Sequence, residues 1–237
     1  MSNDIKKIFI CGCGHTGTTI LARIIGNHSK IYLINFETGA YLLNRHYKRN
    51  KLLNKYIRLA KRNKKRFILE KTPRHIWHLD YINRISKNSK FILTTRNPKD
   101  TIYSLYKRYK NIDKAITRYQ DDSIQTIRFK NFKNSCLIKY EDLKLNPKKT
   151  LKKICKFLRL KYEENMLNFY QKPLEWNLSN PFAKGKDLHN ITRNKQVNLP
   201  LDTNFRINRI PKKIESKIKH FIKKENIGYQ IKKDLNY

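Results

Sequence analysis

Ile8-Phe9-Ile10-Cys11-Gly12-Cys13-Gly14-His15-Thr16-Gly17-Thr18-Thr19-Ile20-Leu21 is the stretch on which the fold turns. Ile8 to Ile10 form a short apolar run suited to a strand buried on both faces. Three glycines follow, at Gly12, Gly14 and Gly17, before apolar residues resume at helical spacing. A strand that turns sharply into a helix leaves a nest of backbone N–H groups with the positive end of the helix dipole behind it. Such a nest binds a phosphate or sulfate without needing a particular side chain.

Three ligands compete for that loop. Gly12, Gly14 and Gly17 satisfy G-x-G-x-x-G, and Glu37 lies where the ribose-binding acid of a dinucleotide fold would be, which is the pattern of a nicotinamide-dependent oxidoreductase. The same residues satisfy G-x-x-x-x-G followed by two hydroxyl residues, a P-loop with Thr18 in place of its lysine. Without that lysine, and with no clear acidic metal ligand, a magnesium nucleoside triphosphatase is hard to defend. The third reading is a loop that holds a phosphosulfate through backbone amides and the hydroxyls of Thr16, Thr18 and Thr19. A turn that binds nothing is the bland alternative, and three glycines and three threonines within eight residues argue against it.

Composition narrows the partners. The 237 residues can bury a full core, and one domain over 1–237 is expected. Lys and Arg number 54 against 18 Asp and Glu, a formal charge of +36, which on its own suggests a non-enzymatic polyanion binder. The basic residues are spread along the whole chain, with neither aromatic ribonucleoprotein-type strands nor a basic tail, so no specific nucleic acid is expected. The four cysteines, Cys11, Cys13, Cys136 and Cys155, have neither zinc nor C-x-x-C spacing and read as reduced, buried thiols. No metal site is expected. No apolar run has bilayer length and the N-terminus lacks a signal-peptide core, so a cytoplasmic protein without a transmembrane segment is expected. Nothing in the sequence sets the oligomeric state.

Along the chain, strand and helix patterns alternate. A first helix ends near Gly26 and Asn27, and 30–35 read as a strand that delivers Glu37 to its end. Phe67 to Leu69 make another, stopped by Pro73, with Glu70, Lys71 and Thr72 at its exit and a helix over 76–85. In 90–109 an apolar strand exits at Arg96 into a helix with Pro98 at its first position and Asn97 as its cap, and Ser104 lies on that helix. A helix spans 113–129, Ser135 to Leu143 is a strand, Pro147 starts a helix, and the last helix begins near Pro211. The segment 171–200 loses periodicity and suits a lid or substrate loop. The alternation predicts an α/β fold: an open parallel sheet of about five strands with helices on both faces and right-handed crossovers. The carboxyl ends of its strands are where a ligand would bind.

These residues resemble the sulfotransferases that use 3′-phosphoadenosine 5′-phosphosulfate (PAPS), over nearly the whole chain. The stretch from Cys13 to Leu21 is similar to their 5′-phosphosulfate loop, and the segment from Arg96 to Tyr106 to their 3′-phosphate motif, in which an Arg and a Ser eight positions later hold the phosphate, here Arg96 and Ser104. Glu70-Lys71-Thr72-Pro73 resembles the E-K-[ST]-P segment of members acting on glycans. The resemblance implies a P-loop-like architecture, PAPS as donor without metal, and a hydroxyl-bearing acceptor, a glycan or glycolipid. Glu37, 22 residues after His15, matches the spacing of a catalytic glutamate, with Lys71 as the cation near the bridging oxygen and His75 as a reserve base. Gly12, Gly14, His15, Thr16, Gly17, Thr18 and Thr19 would hold the phosphosulfate, and Lys184 and Lys186 would close over the 3′-phosphate. His15 stands where most members carry Lys or Arg.

Overall fold

Ile8, Phe9 and Ile10 are fully buried at the centre of the sheet, and side chains alternating along that strand feed two separate apolar layers. The computed structural model describes residues 4–42, 46–176, 194–195, 197–203, 209–224 and 226–237, and for 46–50 the backbone only. Five strands, β1 (Lys6–Gly12), β2 (Ile31–Leu33), β3 (Phe67–Lys71), β4 (Ser89–Thr95) and β5 (Ser135–Lys139), pair in parallel in the order β2-β3-β1-β4-β5. This is the open five-stranded parallel sheet that the sequence predicts.

Ile8 and Ile10 point into the layer of α1 (Thr18–Gly26) and α7 (Pro147–Leu158), with Leu21, Ile24, Leu151 and Ile154. Phe9 and Cys11 point into the opposite layer, formed by α2 (His46–Arg62), α3 (Leu79–Ile85) and Phe129 at the end of α5 (Ile112–Phe129). Each fully buried Ile or Phe contributes roughly 1.5–3 kcal/mol by leaving water, so β1 alone anchors both layers. A third cluster joins α4 (Pro98–Tyr109) and α5 to α8 (Lys212–Phe221) and α9 (Ile227–Asp234).

Several local expectations hold in detail. α1 ends at Gly26 with Asn27 as its C-cap; α4 starts with Pro98, and the Asn97 side chain accepts the Lys99 N–H. Others are corrected. Ser135 to Leu143 is not one strand: β5 stops at Lys139, because its partner β4 ends at Thr95, opposite Lys139. The chain then turns into α6 (Tyr140–Leu145), whose first turn carries Glu141 and Asp142 at the positive end of the helix. The strand at Phe67 runs on to Lys71, since β1 still offers Ile10 as a partner there. The helix expected over 76–85 is a 3-10 turn, Pro73–His78, followed by α3. α8 is not the last helix: α9 follows it, and Gly228 lies so close to Phe221 that no side chain would fit. All four cysteines are free and buried, and no helix among the described residues is long and apolar enough to cross a membrane.

Candidate active site

Parallel pairing puts the carboxyl ends of all five strands on one edge, and the glycine loop leaves β1 there. Its backbone shape comes from three left-handed residues, Gly12 (φ 135), His15 (φ 68) and Gly17 (φ 82). Gly12 must lack a side chain, because a Cβ would stand 2.5 Å from the Thr94 carbonyl, while Gly14 faces open space. Thr16 is buried, donating to the Cys13 carbonyl at 2.6 Å with its hydroxyl 2.7 Å from that of Thr94, so β4 pins the middle of the loop. α1 opens on Gly17 with no side-chain cap, and Thr18 and Thr19 form its first turn. First-turn amides have no partner within a helix, so an uncapped start behind a glycine nest suits an anion. Thr16 thus acts through the loop's shape, whereas Thr18 and Thr19 stand at the helix start.

Glu37 leaves the end of β2 and Lys71 ends β3, and the Lys71 ammonium donates to Glu37 Oε1 at 2.6 Å. The Lys71 side chain is fully buried and Glu37 is about one third exposed. The ammonium also lies 4.9 Å from the centre of the buried Trp176 ring. Glu70, one residue earlier on β3, points to the other face and is buried. Burial alone would raise its carboxyl, but the His75 ring and hydrogen bonds from Thr72 and Thr38 hold it below the usual value. His75 is fully buried, with Nδ1 3.0 Å from Glu70 Oε2.

On the β4 side, Ser104 Oγ lies 2.9 Å from His15 Nδ1, so the glycine loop and the helix after Arg96 meet directly. The Arg96 guanidinium lies 4.9 Å from the centre of the Tyr140 ring and 3.5 Å from Asp100, and its Nε is buried with no hydrogen-bond partner among the described residues. An orphaned guanidinium N–H of this kind fits a site meant to receive an anion. The Tyr140 ring also fills the space where a Gly17 side chain would be, and burial raises its hydroxyl. Glu141 accepts the Asn97 amide at 2.9 Å and the Tyr237 hydroxyl at 2.8 Å.

Gly12, Gly14, His15, Thr16, Gly17, Thr18, Thr19, Arg96 and Ser104 thus gather at one strand edge, with Glu37 and Lys71 at the neighbouring strand exits. Lys184 and Lys186 lie outside the described residues. Tyr140, Glu141 and Trp176 were missed in sequence: an aromatic–acid pair just after a strand was the available signal for the first two, and Trp176 had none. Among the described residues no three His, Cys, Asp or Glu side chains gather as metal ligands.

Sheet order and glycine loop define an α/β protein with an open five-stranded parallel sheet and helices on both faces. The model of the sulfotransferase family matches residues 40–164, more than half of the chain, and the chain belongs to that family. In structure it is similar to the sulfotransferase domain from the curacin biosynthetic pathway, with a TM-score of 0.58, 19% identity and coverage of 100% of this chain and 99% of that one. It is also similar to a sulfotransferase from Alicyclobacillus acidocaldarius, with a TM-score of 0.58, 14% identity and coverage of 97% and 93%. Mouse sulfotransferase SULT7A1 complexed with PAP gives 0.54, 19%, and 98% and 88%. At these identities the likeness is one of fold. No curated protein matches the chain by sequence.

Proposed function

We propose that the protein moves the sulfuryl group of PAPS to a hydroxyl of a carbohydrate or glycolipid acceptor by in-line displacement, with Glu37 as base. The observation that carries this reading is the 2.6 Å pair of Lys71 and Glu37 at adjacent strand exits beside the glycine cradle. Sulfuryl transfer needs a proton acceptor for the attacking hydroxyl and a cation for the oxygen that leaves, and these two side chains are one hydrogen bond apart. PAP in the mouse relative supports PAPS as donor. Bound PAPS supplies the sulfuryl group. The chain's part is to hold its 5′ end on the uncapped start of α1, with the Thr18 and Thr19 hydroxyls, and its 3′-phosphate on Arg96 and Ser104. His15, bonded to Ser104, stands between the two anionic ends and takes the position of the usual Lys or Arg. We place the reaction in the cytoplasm, in keeping with four free cysteines. Family membership displaces the nicotinamide reading, and Glu37 engages a lysine.

Calorimetry tests the donor: PAP and PAPS should bind without added metal, and binding of NAD or ATP–Mg in their place would overturn the proposal. Glu37→Gln should abolish transfer of labelled sulfate to a glycan and lipid extract with PAP affinity retained. Arg96→Ala should weaken PAP by about tenfold or more, since charge-assisted bonds contribute roughly 1.5–3 kcal/mol. Wild-type turnover in Glu37→Gln would remove Glu37 as base.

A further inference from the structure

Four consecutive backbone amides, those of Thr38, Gly39, Ala40 and Tyr41, donate to side chains instead of to other backbone. Thr38 N–H reaches Glu70 Oε1 at 3.0 Å, Gly39 N–H reaches Thr72 Oγ1 at 3.1 Å, Ala40 N–H reaches Thr38 Oγ1 at 3.1 Å and Tyr41 N–H reaches His75 Nε2 at 3.3 Å. The acceptors are themselves tied together. Glu70 Oε1 also takes the hydroxyls of Thr38 at 2.9 Å and Thr72 at 2.5 Å, and Glu70 Oε2 faces His75 Nδ1 at 3.0 Å. Thr38, Glu70, Thr72 and His75 are all buried, and Gly39 takes a left-handed φ of 53.

We propose that Glu70, Thr72 and His75 form a clamp whose task is to set Glu37, and that His75 is therefore a positioning residue and not a base. This rests on the reading of Glu37 as base. A carboxylate on an untethered loop samples many positions, and a misplacement of about 1 Å in a reacting group can cost roughly a hundredfold in rate. Here the residue after Glu37 is bound twice to Glu70, while Lys71, next to Glu70 on the same strand, engages the Glu37 carboxylate itself. One segment, Glu70 to His75, thereby controls Glu37 from its backbone and from its head group. Three of the four amides and the Glu37 head group are thus tied to β3 or to the turn that follows it, and the fourth is held by Thr38, itself bound to Glu70.

The same geometry removes His75 from proton transfer. Nε2 accepts the Tyr41 amide at 3.3 Å, and Nδ1 faces Glu70 Oε2 at 3.0 Å. Phe9 and Tyr41 stand edge-on to the ring, at 5.8 and 5.7 Å between centres. An imidazole with one nitrogen used as acceptor, the other turned to a buried carboxylate and no exposed edge has no route to an acceptor hydroxyl.

Thr72→Val keeps the shape and removes one acceptor, Thr72→Ser restores it, and His75→Phe keeps ring packing while removing both nitrogens. Three measurements separate the roles: amide hydrogen exchange of the 38–41 segment, PAP affinity by calorimetry, and sulfate transfer from labelled PAPS to a glycan and lipid extract. Thr72→Val and His75→Phe should each speed exchange at 38–41 by about tenfold, as loss of one buried hydrogen bond implies. Turnover should fall by about tenfold or more with PAP affinity held within about twofold, and Thr72→Ser should return both to wild type. Unchanged exchange at 38–41 in both variants overturns the clamp, as does a loss of PAP affinity that matches the loss of turnover. Abolished turnover in His75→Phe with exchange unchanged would make His75 the base. If Glu37→Gln keeps wild-type turnover, the base assignment falls, and exchange at 38–41 still decides whether the clamp exists.

Discussion

Gly17 combines a φ of 82 with a wall: a Cβ there would overlap the Tyr140 ring. Gly17→Ala therefore meets both backbone strain and a clash, each on the order of 1–3 kcal/mol, and should lower Tm and abolish detectable PAP binding by calorimetry. Gly14, which faces open space, should accept Ala with little loss of stability. Glu70 gives a pH signature. Burial pushes its carboxyl up, but the neighbouring His75 ring and the Thr72 and Thr38 hydroxyls outweigh that and leave it below its ordinary 4.5. A depressed value in the folded state means stability that is present above the unfolded value and lost as pH falls through the folded one. Thermal melts of the wild type should thus fall steeply below about pH 4.5, and Glu70→Gln should show a shallower acid limb. An identical limb in the variant would show that other carboxylates govern acid unfolding.

At the scale of elements, the start of α4 is where the sequence was most legible. Asn97 caps, Pro98 occupies the first position, Ser104 meets His15 of the glycine loop, and Arg96 stands just before the cap against the Tyr140 ring. Asn97→Ala removes the bond to Lys99 N–H and should cost about 1 kcal/mol, a fall in Tm of roughly 2–4 °C for a chain of this size. PAP affinity should fall with it, because the same turn carries Arg96; an unchanged affinity would mean the cap serves the helix alone. The end of β5 was misread for the opposite reason. Lys139, at the start of α6, offers no side-chain cap, and the loss of β4 as a partner beyond Thr95 ends the strand there. That ending turns Tyr140 toward Gly17 and Arg96, and Glu141 toward the Asn97 amide.

Over the whole molecule the dominant quantity is the charge of +36. Many of its lysines are exposed and spread over the surface, so they raise the local concentration of an anion without forming a site. Binding of PAP should weaken several-fold to about tenfold between 50 mM and 500 mM salt, as the field is screened. Arg96→Ala should keep that salt dependence while losing affinity; a variant that lost both equally would place the whole field at Arg96. The last residues also reach the site's frame: the Tyr237 hydroxyl binds Glu141, and Lys139 Nζ binds the Asn236 carbonyl. No local pattern near position 237 announces that contact.

The sequence by itself determined the parts whose cause is local. The apolar run at Ile8 makes a doubly buried strand, glycines permit left-handed turns at Gly12 and Gly17, and Asn97 with Pro98 starts a helix. Periodicity and spacing then place Glu37, Lys71 and Arg96 at strand exits and Ser104 on the helix that follows Arg96. Only the tertiary structure decided which of these meet. β1 lies between β3 and β4, so Lys71 comes to Glu37 from one side while Ser104 comes to His15, 89 positions away, from the other. It also showed that Glu70 Oε1 and His75 Nε2 accept amides of a neighbouring loop, while Glu70 Oε2 and His75 Nδ1 face each other. A residue's hydrogen-bond partners depend on sheet order and register, and those are set by the packing of two apolar layers over the whole chain, not by the residues that flank it.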